Sequence, residues 1–260
     1  MRKLPRRLRY GEEATLVEHL DELRTRLLVS LIAVAVVFGV AFAFHEQIIR
    51  ALIEPLPAEH RDKLTTLGPA EPFLTALKVS LMAGIAGAFP ILLWQFWNFF
   101  APAVQESLQR KVLVFVGVAT ALLFGGFAFA YWIVLPQAIR FLTNYDSDLY
   151  LIQLQAKPYL SFTVMVLMGV GVVFELPVFI LGLVRLGILT SAALRKNRRI
   201  GYFAVACVAV LLPGIDPVTL ILEIVPLWIL FEGSIWLSVF FEKRWEVERQ
   251  ALWADDPEPS

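Results

Sequence analysis

Long apolar stretches separated by short polar segments run along the whole chain. An α-helix rises 1.5 Å per residue, so about 20 apolar residues cross the hydrocarbon core of a bilayer. Six stretches are candidates for such helices: residues 27–44, 77–99, 112–135, 159–183, 200–212 and 218–240. The pattern therefore predicts an all-α membrane protein with six transmembrane helices.

The last two stretches are predicted to be short. Residues 200–212 would extend only roughly 20 Å as a helix, against about 30 Å of hydrocarbon. A tight link that contains Pro213 and Pro217 leads into the sixth stretch, which Glu223 and Pro226 interrupt. We expect spans five and six to form a hairpin that stops before the far face of the membrane.

The composition agrees with a membrane protein. Of the 260 residues, 58% are hydrophobic and 18% are charged, with a mean hydropathy of +0.68. Soluble domains are about 45–50% apolar and about 25% charged. Lysine and arginine stand in short clusters between apolar stretches rather than on one polar domain, so we expect no nucleic-acid partner.

The distribution of positive residues predicts the orientation in the membrane. Lysine and arginine number 17 in the segments before span one, at 98–111, at 185–199 and after residue 241, but only 5 in the segments on the other side. Cytoplasmic loops carry the excess of positive residues in membrane proteins. Both termini are therefore predicted to be cytoplasmic.

These assignments divide the chain into three regions. Residues 1–26 form an amphipathic cytoplasmic segment, residues 27–240 a six-helix membrane domain, and residues 241–260 a cytoplasmic tail. The end of the tail is acidic and contains proline, which is typical of disorder. Residues 46–73 are predicted to form a long loop on the opposite side of the membrane.

Glu175 is an ionisable residue in the middle of span four. A carboxylate at that depth costs several kcal/mol unless it faces a polar recess, is protonated or meets a partner. One interpretation is a protonated side chain that hydrogen-bonds a neighbouring helix. The other is a polar contact point for a molecule that enters the membrane. Pro177, two residues later, is expected to kink the helix.

The segment before span one combines an apolar stripe with an acidic face. Leucines recur at helical spacing through this segment, whereas Glu18, Asp21 and Glu22 share another face. One interpretation is ordinary ion pairing of Asp21 with Arg24 and of Glu22 with Arg26. The alternative is an acidic patch that receives guanidinium groups, for which carboxylates are the geometric match.

Polar residues elsewhere exclude several kinds of site. His19, His45 and His60 all lie outside the six stretches, so an intramembrane Ser–His site or metal cluster lacks its residues. Glycine-rich phosphate loops are absent as well. We therefore expect no enzyme, no cofactor and no metal. An ion-coupled transporter that uses Glu175 as its ion site is the alternative function.

Motifs spread over nearly the whole chain then form a recognisable order. They include HLDELRTRL at 19–27, EPF at 71–73, YLSF at 159–162, FELPV at 174–178 and PGID at 213–216, with further matches at 78, 89–102, 129–136, 194–199, 226 and 231–232. In these motifs and their spacing the chain resembles the TatC family, the core subunit of the twin-arginine protein translocase.

The resemblance implies a receptor that exports folded proteins across the cytoplasmic (inner) membrane, driven by the proton motive force. The cargo carries a twin-arginine signal peptide, whose arginine pair would bind the N-terminal segment and the first cytoplasmic loop. The residues that this implies are Glu22, Leu20, Arg24, Pro102 and Glu106. The apolar part of the signal would enter a concave helix bundle.

The resemblance also assigns three further groups of residues. Glu175, Phe174 and Pro177 match the intramembrane polar site of the family, and Glu71, Pro72 and Phe73 match its outer-loop motif. TatA- and TatB-type single-span proteins would dock on spans five and six, at Leu220, Glu223, Pro226 and Glu232. Other copies of the chain and membrane lipid are the remaining implied partners.

At two positions the chain departs from the family pattern. Leu108 stands where family members carry an acidic residue in the first cytoplasmic loop, and Glu106 is the candidate substitute. Leu220 stands where a polar amide is usual near the start of span six. Glu223 lies one helical turn later, on nearly the same face, and is the candidate polar contact there.

Overall fold

The computed structural model describes residues 16–61, 64–100, 112–149, 152–185, 187–214 and 216–254, and these are almost entirely helical. The helices are α1 (Leu16–Ala43), α2 (His45–Ile53), α3 (Ala58–Arg61), α4 (Glu71–Phe100), α5 (Val112–Phe129), α6 (Leu135–Asn144), α7 (Ala156–Val173), α8 (Leu176–Arg185), α9 (Ser191–Lys196), α10 (Arg198–Leu211) and α11 (Pro217–Ala254).

Five helical segments within the described residues are long and apolar enough to cross a membrane. They are Leu20–Ala43, Glu71–Phe99, Val112–Asn144, Ala156–Arg185 and Pro217–Glu242. They coincide with predicted spans one to four and six, and they confirm an all-α, multi-pass membrane protein. A π-helical turn at Ala130–Val134 joins α5 to α6 within the third of them.

The fifth predicted span is α10, and it is short as expected. It has 14 residues, which correspond to about 21 Å along the helix axis. The sixth predicted span lies in the 38-residue helix α11, which continues without a break through both Glu223 and Pro226 and extends beyond residue 240. Proline is tolerated inside spanning helices when packing and local adjustments satisfy the freed backbone groups. The predicted interruption of the sixth span is therefore corrected.

The structure describes the two predicted terminal regions only in part. Helix α11 runs past residue 240 into the predicted tail as far as Ala254. Residues 1–15 and 255–260, which include most of the predicted amphipathic segment and the predicted disordered end, lie outside the described residues.

The chain divides into two compact units, the first of which comprises residues 1–121 and 146–168. Its framework is α1 packed along α4. The two helices approach closely at Gly84, where an added Cβ would lie 2.9 Å from the Cα of Phe38. Small residues permit such close backbone approach between membrane helices, whose association depends on packing rather than on the hydrophobic effect.

The described residues of the predicted loop 46–73 are helical in part and hydrogen-bonded within the first unit. The loop contains α2 and α3, and its later part pairs with the segment before α7. The Thr65 amide donates to the carbonyl of Leu154 at 3.0 Å, and the Ala156 amide donates to the carbonyl of Thr65 at 2.9 Å. The Tyr159 hydroxyl donates to the Leu52 carbonyl at 2.8 Å. These bonds fix the loop to the start of α7.

The second unit comprises residues 122–145 and 169–260. Helices α8 and α10 pack on α11 around a buried apolar cluster: Val173, Ile180, Val184, Val205, Ala209, Leu227, Phe231 and Ile235. In the same unit, α5 approaches α7 at Gly126, where an added Cβ would lie 2.8 Å from the Cα of Gly171 and 2.9 Å from the Cβ of Phe174. This close approach positions the segment that carries Glu175.

Replacing Gly126 with alanine is expected to destabilise the second unit. The nearest atom is backbone, which cannot move aside without separating the helices, and overpacking of this kind costs about 1–3 kcal/mol. Thermal unfolding of the purified protein in detergent should show a lower Tm. The matched control is Gly125→Ala, because an added Cβ there meets nothing within 4 Å. Equal Tm values for the two variants would contradict the close approach.

Candidate functional site

Glu22 lies in the first turns of α1 and is paired within its own helix. The Arg26 Nε donates to the Glu22 Oε1 at 3.0 Å, and the Arg26 Nη2 contacts the same oxygen. The side chains of Arg26 and Glu22 are 19% and 12% exposed. The second oxygen, Glu22 Oε2, is buried and accepts no hydrogen bond from the described residues. One carboxylate oxygen is thus engaged while the other has unused acceptor capacity.

The rest of this predicted site is only partly described. Leu20 and Arg24 are exposed on the same helix, and so is Asp21. Of the two ion pairs that the sequence suggested, the described residues contain the pair of Glu22 with Arg26 but not that of Asp21 with Arg24. The predicted residues Pro102 and Glu106 lie outside the described residues.

The helix that carries Glu175 is broken at that residue. Helix α7 ends at Val173 and α8 begins at Leu176, with Pro177 as the second residue of α8. The Glu175 amide donates to the carbonyl of Val172, three residues earlier, instead of the usual four. Proline supplies no amide and clashes with the preceding turn, which explains the break at the predicted place.

Glu175 is half-buried next to Phe174, which belongs to a packed aromatic pair. Phe174 packs its ring on Phe129 with a centroid distance of 5.5 Å. The carboxyl group of Glu175 interacts with the backbone of Leu123. Its Oε1 is buried without a hydrogen-bond donor among the described residues. The break therefore presents a carboxyl group with one free acceptor in an apolar setting.

The predicted outer-loop motif begins α4. The Leu67 amide donates to the Glu71 Oε2 at 3.0 Å, and the Glu71 amide donates to the carbonyl of Gly68 at 3.2 Å. Pro72 occupies the first turn, where its missing amide costs nothing. Phe73 is exposed and packs edge-on against Phe42 at 6.3 Å. The three residues fix the turn that leads into α4.

Glu232 on α11 belongs to a polar cluster with two residues of α10. The Arg198 Nη2 lies 3.3 Å from the Glu232 Oε2, and the Tyr202 hydroxyl donates to the Glu232 Oε1. Tyr202 and Glu232 also line a recess of about 470 Å³ with Trp228 and Ile229. We call this recess, which these four residues line, the hairpin recess. It combines exposed apolar surface with one partly exposed carboxylate.

The other predicted docking residues on α11 point inward. Leu220 packs against the apolar cluster of the second unit, and Pro226 lies within the continuous helix. Glu223 is only 2% exposed, and neither of its carboxyl oxygens has a hydrogen-bond partner among the described residues. A docked protein would reach Glu232 directly, whereas contact with Glu223 would require α11 to move relative to its neighbours.

Asp216 is a buried residue whose role the sequence reasoning missed. The Thr219 amide donates to the Asp216 Oδ1 at 2.8 Å, and the Thr219 hydroxyl donates to the Oδ2. Asp216 is therefore the N-cap of α11. The signal was present in the sequence, since Asp216 is followed by Pro217, and an N-cap residue before a first-turn proline is a typical helix start.

Arg198 and Tyr202 were also missed as partners of Glu232. No sequence spacing joins them, because they reach Glu232 only through the packing of α10 on α11. The described part of the chain holds no group of three or more histidine, cysteine, aspartate or glutamate residues that could bind a metal ion.

A family model matches most of the chain. It is the model of the Sec-independent protein translocase protein (TatC), and it matches residues 18–226. Among curated proteins, the chain is similar to the TatC protein of Carboxydothermus hydrogenoformans, with 34% identity over 88% of this chain and 95% of that protein. It is also 34% identical to the TatCd protein of Bacillus subtilis, over 92% of this chain and 98% of that protein.

Solved structures give the same result. The chain matches a crystal structure of the twin-arginine translocase receptor TatC in DDM with a TM-score of 0.75 and 33% identity. The match covers 85% of this chain and 99% of that one. A second crystal structure of the same receptor matches with a TM-score of 0.73 and 32% identity.

Replacing Asp216 with alanine is expected to lower the free energy of unfolding by about 1 kcal/mol, the usual cost of losing an N-cap. Asp216→Asn should retain part of this stability, because its amide oxygen still accepts from the Thr219 amide. Thermal unfolding measures both. Asp148→Ala, at an exposed position, is the control. A Tm for Asp216→Ala that equals the control would contradict the capping role.

Proposed function

Because this chain belongs to the TatC family of Sec-independent protein translocase proteins, we propose that it is the signal-peptide receptor and core of a twin-arginine translocase. It is a multi-pass membrane protein and a translocase component rather than an enzyme. The cargo is a folded protein that carries a twin-arginine signal peptide. The proposed location is the cytoplasmic membrane, with both termini in the cytoplasm.

The carboxyl group of Glu22 is the observation that supports signal-peptide binding most directly. A guanidinium group donates two parallel hydrogen bonds to a carboxylate, and such charge-assisted bonds are about twice as strong as neutral ones. Arg26 occupies Oε1, so Oε2 is the atom that we assign to an arginine of the signal peptide. Leu20 and Arg24, exposed on the same helix, would contact the neighbouring residues of the peptide, together with Pro102 and Glu106.

Glu175 is the proposed polar contact for the part of the signal peptide that enters the membrane. Its Oε1 has no described donor, and a polar group without a partner in an apolar setting is costly. A backbone amide or hydroxyl of the inserted peptide would relieve that cost. Phe174 and Pro177 have supporting roles, since the first anchors the neighbouring backbone by packing on Phe129 and the second maintains the break in the helix.

The hairpin recess is the proposed contact surface for partner helices. TatA- and TatB-type single-span proteins would place an apolar helix face on Trp228 and Ile229, with a polar group toward Glu232. Pro226, Leu220 and Glu223 would support this surface from within the unit. Other copies of the chain and membrane lipid complete the proposed assembly. Glu71, Pro72 and Phe73 would keep the start of α4 fixed during transport.

Replacing Glu22 with glutamine should weaken binding of a twin-arginine peptide roughly tenfold, since one hydrogen bond between charged groups is lost. Fluorescence anisotropy of a labelled peptide with the protein in nanodiscs measures the Kd. The peptide with two lysines in place of the arginines tests recognition of the guanidinium groups. Crosslinking of the same peptide should also fall in Glu106→Ala.

The control for this experiment is Asp148→Asn, which removes an exposed carboxylate outside the proposed site and should leave the Kd unchanged. Thermal unfolding of each variant shows that the fold is retained. Equal affinity of wild type and Glu22→Gln for the peptide would remove Glu22 from the site.

Export of a folded fluorescent protein fused to a twin-arginine signal tests the function as a whole. Cells that lack this chain should retain the reporter in the cytoplasm, and expression of the chain should restore export. A protonophore should stop export in the restored cells because the proposed energy source is the proton motive force. Equal export with and without the chain would refute the proposed function.

A further inference from the structure

A second recess lies in the first unit, at the end of α1, and shares only Pro72 and Phe73 with the residue groups considered above. It has a volume of about 500 Å³, within the usual range for ligand pockets. Phe42, Ile49 and Phe73 contribute apolar surface to it, and His45, Glu46 and Arg50 contribute polar groups. We call it the α2 recess, because four of these six residues belong to α2.

The aromatic wall of this recess is held in place by defined contacts. The Phe42 and Phe73 rings meet edge to face at 6.3 Å, and the His45 ring stacks on Phe42 at 5.3 Å. The His45 Nδ1 lies 2.7 Å from the carbonyl oxygen of Phe42, which fixes the orientation of the imidazole. The wall is thus formed before any ligand arrives.

Glu46 and Arg50 give the recess two opposite charges that are not used within the protein. They stand four residues apart on α2, with glutamate first, which is the favourable arrangement for a helical ion pair. Nevertheless, the described part of the chain gives neither side chain a hydrogen bond or an ion pair, and both residues are exposed. Each charge is available to a ligand that lies between them.

The position of the α2 recess indicates which ligand can reach it. The apolar helix α1 ends at Ala43, and α2 follows with an apolar face that buries Leu52 and a polar face that carries Glu46 and Arg50. A short amphipathic helix directly after a membrane span lies at the boundary between hydrocarbon and water. The headgroups of the leaflet in which α1 ends are therefore the nearest charged molecules.

From this geometry we infer that the α2 recess is a binding site for a phospholipid with an amine-bearing zwitterionic headgroup. The Arg50 guanidinium binds the phosphate, for which its planar set of donors is suited, and Glu46 binds the ammonium group. The start of one acyl chain lies against Phe42 and Phe73, the aromatic part of the recess lining. Phosphatidylethanolamine has this chemistry.

Other occupants satisfy fewer of these groups. An anionic phospholipid would pair with Arg50 but would bring its negative charge beside Glu46. Free phosphate would likewise pair with Arg50, but it would leave the aromatic wall uncovered. An apolar helix of a partner protein would cover the wall and leave both charges without a counterion, which is unfavourable where water is partly excluded.

Lipid retention measured by native mass spectrometry tests the inference. The full chain is purified, stripped of lipid and supplied with equal amounts of phosphatidylethanolamine and phosphatidylglycerol that have identical acyl chains. Wild type should retain phosphatidylethanolamine preferentially. Arg50→Gln should reduce its retention roughly three- to fivefold, the upper part of the range for exposed ion pairs. Glu46→Gln should abolish the preference over phosphatidylglycerol, because it removes both the partner of the ammonium group and the charge that repels the anionic lipid.

Two further variants and a competition with phosphate show whether the retained lipid is bound in the α2 recess. Arg140→Gln, which removes an exposed arginine of α6, is the matched control and should retain lipid as wild type does. Ile49→Trp, which fills the apolar part of the recess while keeping both charges, should also reduce retention. Millimolar inorganic phosphate should not displace the lipid.

The inference is overturned if Arg50→Gln and Glu46→Gln retain both lipids as wild type does, or if phosphate alone displaces the lipid. It is also overturned if phosphatidylglycerol is preferred, or if the site binds a peptide helix and no lipid. Size-exclusion profiles and Tm values identify any variant whose fold has changed, and the two charge substitutions lie at exposed positions where the fold should be retained.

Discussion

Hydrocarbon offers no hydrogen bonds, so each polar group within a membrane protein must find its partner inside the protein or be exposed to something that supplies one. The backbone meets this requirement by forming helices, and almost all described residues of this chain are helical. Where the helix is interrupted at Glu175, the amides of Phe174 and Glu175 still donate hydrogen bonds to backbone carbonyls of the preceding turn. Close packing at Gly84 and Gly126 then holds the helices against each other.

Side-chain carboxyl groups meet the same requirement less completely, and they do so in three ways. Both carboxyl oxygens of Asp216 accept hydrogen bonds from Thr219 at the N-terminus of α11, so the role of Asp216 is structural. Glu22 and Glu232 are paired with an arginine and remain partly exposed, which suits groups that exchange one partner for another. Glu175 and Glu223 retain buried oxygens without described partners. Carboxyl groups of the last kind are costly in an apolar setting unless they are protonated or meet a partner.

Much of the fold was available from the sequence because hydrophobic length is a strong signal in membrane proteins. Spans one to four coincide with long apolar helices, and the short fifth helix followed from counting 13 apolar residues before Pro213. The error at span six has a physical cause. Glu223 and Pro226 were taken as interruptions because each is unfavourable in an isolated apolar helix, yet α11, packed against α8 and α10, continues through both.

The candidate site divides in the same way. The residue types of Glu22, Glu175 and Glu232 and their places along helices are properties of the sequence, since a carboxylate beside or within a long apolar stretch is conspicuous there. The pair of Glu22 with Arg26 was one that helical spacing suggested, because the two residues stand four apart on one helix. Only the tertiary structure decided that Glu232 is paired with Arg198 and Tyr202 across two helices. The sequence alone determined the helices because their hydrogen bonds are local, whereas the recesses and free carboxyl oxygens depend on how side chains from separate helices pack together.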